Sequence, residues 1–148
     1  MPIRRTGFPL LLLAASALGC ISIGIGDDDR ETERQVVFRG ADFDAVWSAT
    51  IQTFGDMRLP IASLEKESGL LTTDWILVDD PGEKMDCDEN PRNPEVRFNI
   101  YVQRMNQGTE MTMTTSMRAL REDGTTLQSC ESTGAYEEEI RERVERRV

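Results

Sequence analysis

Three cysteines, Cys20, Cys87 and Cys130, are the most reactive side chains in a chain of 148 residues that contains no histidine. Without an imidazole there is no Ser-His-Asp triad, no histidine zinc ligand and no imidazole proton shuttle. Acids are plentiful, with 27 Asp+Glu against 17 Lys+Arg. They fall in segments that read as loops and helix surfaces, not as a pair sharing one pocket for acid–base work. Asp86-x-Asp88-x-Asn90 opens like a calcium loop. Such a loop needs glycine at its sixth place and glutamate at its twelfth, where Pro91 and Arg97 stand. Asp27-Asp28-Asp29 reads as solvated linker rather than as a cation site. Met111, Met113 and Met117 offer thioethers to a soft metal, but their spacing puts them on one strand face, where methionine fills a core. There is no nucleophile elbow, phosphate loop or zinc-protease helix motif. No metal, cofactor or catalytic residue is expected, and the chain reads as non-enzymatic. A formal charge of −10 disfavours binding to nucleic acid, which needs clustered Lys and Arg against phosphate.

Cys20 ends a distinctive leader. Arg4 and Arg5 precede the apolar run Phe8 to Leu18, which falls short of the roughly 20 apolar residues that span a bilayer. Residues 1–19 therefore read as a secretory leader. Ser16-Ala17-Leu18-Gly19-Cys20 resembles the lipobox of bacterial lipoproteins. That resemblance implies cleavage before Cys20, lipid on its thiol, and the membrane as a partner through that lipid. Each buried methylene of an acyl chain adds about 0.8 kcal/mol, so two or three chains anchor stably. In such lipoproteins an Asp after the cysteine marks retention in the inner membrane; Ile21 therefore implies the outer membrane, facing the periplasm. Cleavage removes two arginines and no acid. The remaining body is then still more acidic, and anionic headgroups repel it. Export also places the chain where disulfides persist. With Cys20 lipidated, Cys87 and Cys130 are left as an even pair, and the sequence predicts a disulfide between them.

These residues need elements to hold them. Residues 20–35 carry Gly24, Gly26 and alternating charges without a sustained apolar period, and read as a flexible acidic tether. Residues 36–148 read as one domain. Val36-Val37-Phe38 suggests a strand. Asp42 or Asp44 can cap a helix whose stripe is Phe43, Val46, Trp47, Thr50, Ile51 and Phe54. Ile61 to Val78 reads as a hairpin turning at Gly69, with Leu71, Thr73, Trp75 and Leu77 on one face. Trp47 and Trp75 are both expected in the core between helix and sheet. Residues 79–94 read as a loop carrying Cys87, and Cys130 is expected in a second polar loop. Strict alternation marks strands over Val96–Gln103 and Met111–Ala119. Tyr136, Ile140 and Val144 stripe a last helix, on which Glu137–Arg141, Glu139–Arg143 and Glu142–Arg146 are i,i+4 pairs. The order β-α-β-β-β-β-α predicts an α+β fold, an antiparallel sheet with two helices packed on one face.

Asp44-Ala45-Val46-Trp47, Ile61 and the run Glu67-Ser68-Gly69-Leu70-Leu71-Thr72-Thr73-Asp74-Trp75 resemble the helix-grip domains of BamC (NlpB)-like outer-membrane lipoproteins. The likeness covers residues 36–78, and Cys130-Glu131-Ser132-Thr133-Gly134 before the last helix is similar to the tail of small lipoproteins of this type. It implies a helix-grip-like domain and, as partners, outer-membrane barrel-assembly proteins. BamC has two such domains, whereas this chain has room for one. The alternative reading is a periplasmic module for a small molecule or lipid, seated between sheet and helix; a further one, less favoured, is an envelope hydrolase.

Overall fold

A computed structural model describes residues 30–148. Cys20, the leader over residues 1–19 and the tether up to Asp29 lie outside the described residues. The chain is an α+β fold in which an antiparallel sheet of eight strands carries two α-helices on one face. The strands are β1 (Glu31–Arg39), β2 (Ile61–Glu65), β3 (Leu70–Thr73), β4 (Ile76–Leu77), β5 (Met85–Asp86), β6 (Arg92–Met105), β7 (Gly108–Leu120) and β8 (Leu127–Ser132). The helices are α1 (Phe43–Asp56) and α2 (Ala135–Glu145). The long hairpin of β6 and β7 is the spine. On one side β6 pairs with β3 and then β4, and β3 pairs with β2. On the other, β7 pairs with β1 along residues 108–116 and with β8 along residues 117–120. β8 then continues to β5.

The two-residue period decides which face is buried. Val96, Phe98, Ile100 and Val102 of β6, with Met111, Met113, Met117 and Ala119 of β7, point at the helices and are buried. The three methionines are thus core, as their spacing predicts. Val46, Trp47 and Phe54 of α1 and Tyr136, Ile140 and Val144 of α2 close that core from above. Asp42 caps α1, its carboxylate accepting from the Ala45 N–H at 2.8 Å. The helix ends when the Leu59 N–H reaches back to the Phe54 carbonyl at 2.9 Å and Arg58 adopts φ 57°. That is a left-handed C-terminal cap, in a place glycine usually fills.

Several sequence expectations need correction. The tether ends earlier than residue 35, because Glu31–Gln35 already pair with β7 as part of β1. An edge strand satisfies only one side of its backbone and needs no full apolar period, so its charges hid it. The hairpin strand over Leu70–Val78 is broken at Asp74-Trp75 into β3 and β4. The break resets the alternation, and Leu77 faces solvent. Cys130 lies in β8 and is fully buried, not in a polar loop. Residues 79–94 hold the short β5 and the start of β6. Of the three pairs predicted on α2, Glu139–Arg143 and Glu142–Arg146 form. Glu137 does not pair with Arg141. It is fully buried and accepts from the Ser132 hydroxyl at 2.9 Å, while Arg141 turns to Glu138 and Glu145.

Candidate interaction face and groove

The face of the sheet turned away from the helices carries the strand positions that alternate with the core. Most of their residues are polar: Glu95, Arg97, Asn99 and Gln103 from β6, and Glu110, Thr112, Thr114, Ser116 and Arg118 from β7. Tyr101 and Met105 of β6 and Val37 of β1 are exposed apolar or aromatic members of the same face, and Trp75 joins them from outside the β6–β7 ladder. The break after Thr73 carries Trp75 over this outer face, where it lies partly buried. The Arg118 guanidinium sits 4.0 Å from its ring centre and that of Arg97 4.7 Å. The aromatic face holds both cations by its quadrupole. Trp47 alone meets the core expectation, buried and stacked on Phe43 at 5.9 Å.

A chain of polar contacts fixes this cluster across three strands. Arg118 Nε donates to Glu95 Oε2 at 2.6 Å, directly across the β6–β7 ladder. Arg97 donates to the Ser116 hydroxyl at 3.4 Å, and that hydroxyl donates to Glu31 at 3.3 Å. The Nε of Arg97 is buried and has no acceptor among the described residues. The guanidinium has five donors, so Arg97 keeps unspent capacity beside an aromatic ring. Aromatic and arginine side chains together are the usual anchors of protein contacts. The arginines were legible as outward-facing from the alternation. Trp75 was missed because an unbroken strand was assumed.

A groove of about 450 Å³ opens at the end of the sheet between α1, α2 and β4. Its floor includes Leu59, Ile76 and Val96, and its rim Arg58, Lys84 and Tyr136. The Lys84 ammonium lies 4.4 Å above the Tyr136 ring and 3.9 Å from Glu139. Burial, with Glu139 and Asp80 nearby, pushes the Tyr136 phenol above its ordinary pKa. The rim is charged and the groove is open to solvent, so it differs from the enclosed apolar cavity that lipid binding requires.

The structure joins Cys87, just after β5, to Cys130 of β8 in a disulfide with Cα atoms 4.5 Å apart. That link holds the segment over residues 79–94 to the sheet. Asp86, Asp88 and Asn90 lie along its exposed side. Among the described residues no group of three or more acidic, cysteine or histidine side chains is placed to hold a metal. No described helix is long and apolar enough to cross a membrane.

No family model matches this chain, and no curated protein matches it. Among solved structures it is similar to a DUF4468 family protein from Bacteroides ovatus ATCC 8483, with a TM-score of 0.44 and 12% identity. That match covers 70% of this chain and 62% of the other, so the chain spans less than two thirds of that protein's length.

Proposed function

We propose that this protein is a non-enzymatic, lipid-anchored periplasmic module. It is held at the outer membrane through Cys20 and serves as an accessory in outer-membrane protein assembly or envelope maintenance. The observation that carries the binding role is Trp75, set between Arg97 and Arg118 on the sheet face opposite the helices. An aromatic ring spent there contributes nothing to the helix–sheet core, and it supplies an anchor for a protein partner. The Cys87–Cys130 disulfide suits an oxidising compartment, in agreement with the leader and lipobox. Anchoring confines the module near membrane partners, so modest contacts suffice.

The test is crosslinking in cells, followed by purification of the full-length protein from detergent-solubilised envelope and peptide mapping. Barrel-assembly subunits crosslinked through residues around Trp75, and lost with Trp75→Ala, support the proposal. Recovery of the lipidated protein alone overturns the assembly role. The alternative, a small-molecule or lipid-binding module, uses the groove beside Tyr136 instead. Native mass spectrometry showing a copurified ligand, displaced by filling that groove, favours it.

A further inference from the structure

The outer edge of β1 is the longest open strand edge among the described residues, nine residues from Glu31 to Arg39, or about 30 Å at strand rise. Its partner on the inner side is β7. The Gly40 N–H donates to the Gln107 carbonyl at 3.3 Å, continuing the β1–β7 register by one residue. Antiparallel hydrogen-bonded pairs alternate with unbonded ones. The even-numbered residues of β1 therefore bond β7, and the odd-numbered ones turn their N–H and C=O groups outward. Those odd residues are Glu31, Glu33, Gln35, Val37 and Arg39, whose side chains lie on the outer face beside Ser116, Thr114, Thr112 and Glu110.

Their order is self-complementary. Acids occupy the first half of the row and the base its end, and Glu31, Glu33 and Arg39 form no ion pair among the described residues. A parallel second copy brings like charges side by side. An antiparallel copy centred on Gln35 sets each Glu31 against the other chain's Arg39, twice by symmetry. It also covers Val37, which is 51% exposed, and keeps all nine residues in the ladder. Sliding the copy by two residues pairs Glu33 with Arg39 but shortens the ladder and leaves both Glu31 side chains unmatched. Register follows the arrangement that satisfies the whole row.

We propose that two copies of this chain associate through β1 edges, antiparallel about a two-fold axis at Gln35, making one continuous sheet. This does not depend on the function proposed above. The two Gln35 residues form a hydrogen-bonded pair with Cα atoms about 5.5 Å apart, within reach of a disulfide.

Two measurements on the full-length protein in detergent test it. Gln35→Cys is oxidised, and the linked peptides are identified by mass spectrometry. A bond between the two introduced thiols is expected, and Val36→Cys is expected to give none. In density-matched sedimentation, Arg39→Glu and Glu31→Arg are each expected to weaken dimerisation about 10-fold, from two cross-strand charge pairs turned repulsive. The double variant restores it. Glu31, Gln35 and Arg39 are exposed and Val36 is half-buried against the core, so circular dichroism is used to check that each variant folds. A wild-type monomer up to about 100 µM, where even a weak interface populates dimer, overturns the proposal. So does a dimer indifferent to both charge reversals, or crosslinking through Val36 in place of Gln35.

Discussion

At Gly69 the chain tolerates no side chain, for two separate reasons. Its φ is +73°, and an added Cβ would lie 2.0 Å from the Val102 carbonyl oxygen. Gly69 also accepts from the Val102 N–H at 2.8 Å, so the turn between β2 and β3 is seated directly on β6. Gly124 has a similar φ of +70° but open space around it. Gly124→Ala is expected to cost about 1 kcal/mol, the left-handed penalty alone, and Gly69→Ala at least about twice that. Urea midpoints compare the two, and equal losses would refute the close approach. Asp123 gives a pH-dependent counterpart. Its carboxylate accepts from the Thr126 hydroxyl and from the backbone N–H groups of Thr126 and Thr125, which hold it well below the ordinary aspartate range. A depressed carboxylate stabilises the fold above its unfolded pKa of about 4 and loses that contribution as pH falls toward the folded value. Thermal melts should therefore show wild type above Asp123→Ala at neutral pH, with the gap narrowing below about pH 4. The tryptophans form a third contrast. Trp47→Ala removes a buried ring and is expected to cost about 3–5 kcal/mol. Trp75→Ala gives up two partly exposed cation–π contacts, about 0.5–1 kcal/mol each, and should act mainly on partner capture.

At the scale of elements, what the sequence made legible follows from how strong each local signal was. Two helices and the β6–β7 hairpin were readable, because Phe43 to Phe54 and Tyr136 to Val144 keep a helical stripe while Val96 to Ala119 alternates. The disulfide partners were readable from count and from the compartment that the leader implies. The strands that escaped are short or asymmetric. β4 and β5 have two residues each, too few for any period. β8 mixes buried Gln128 and Cys130 with exposed Leu127, which inverts the usual code. Of β1 only the first part, Glu31–Gln35, escaped, because its edge position lets it carry charges. The candidate face was half legible: alternation points Arg97 and Arg118 outward, but only the break at Asp74 explains Trp75. The disulfide ties two of the unreadable strands together, since β5 pairs with β8 only at Met85–Ser132 and Asp86–Glu131. Replacing both Cys87 and Cys130 by serine is expected to cost about 2–5 kcal/mol. Hydrogen exchange should rise first over residues 79–94. Uniform loss of protection across β6 and β7 instead would show that the bond supports the whole core.

The whole molecule pairs an acidic body with the lipid anchor proposed at Cys20. An anionic surface is repelled by anionic headgroups, so on the proposed reading attachment to the membrane comes from acyl chains on Cys20 and not from the body. The balance of charge makes that separation testable. The wild-type protein should partition into the detergent phase on phase separation and resist extraction by high salt, because burial of methylenes, unlike headgroup attraction, is not screened. A Cys20→Ser variant behind an ordinary secretory leader should appear in the soluble periplasmic fraction with Cys87 and Cys130 still joined, since that bond needs the compartment and not the lipid. Its capture of membrane partners should fall by about 100-fold or more, the usual gain from confinement. If wild type is itself released by salt, the body binds the membrane directly. If the variant stays with the membrane while its disulfide forms, a second attachment acts beside Cys20. Loss of the disulfide together with the lipid would mean that export, rather than anchoring, depends on this cysteine, and the outer-membrane reading would fall with it.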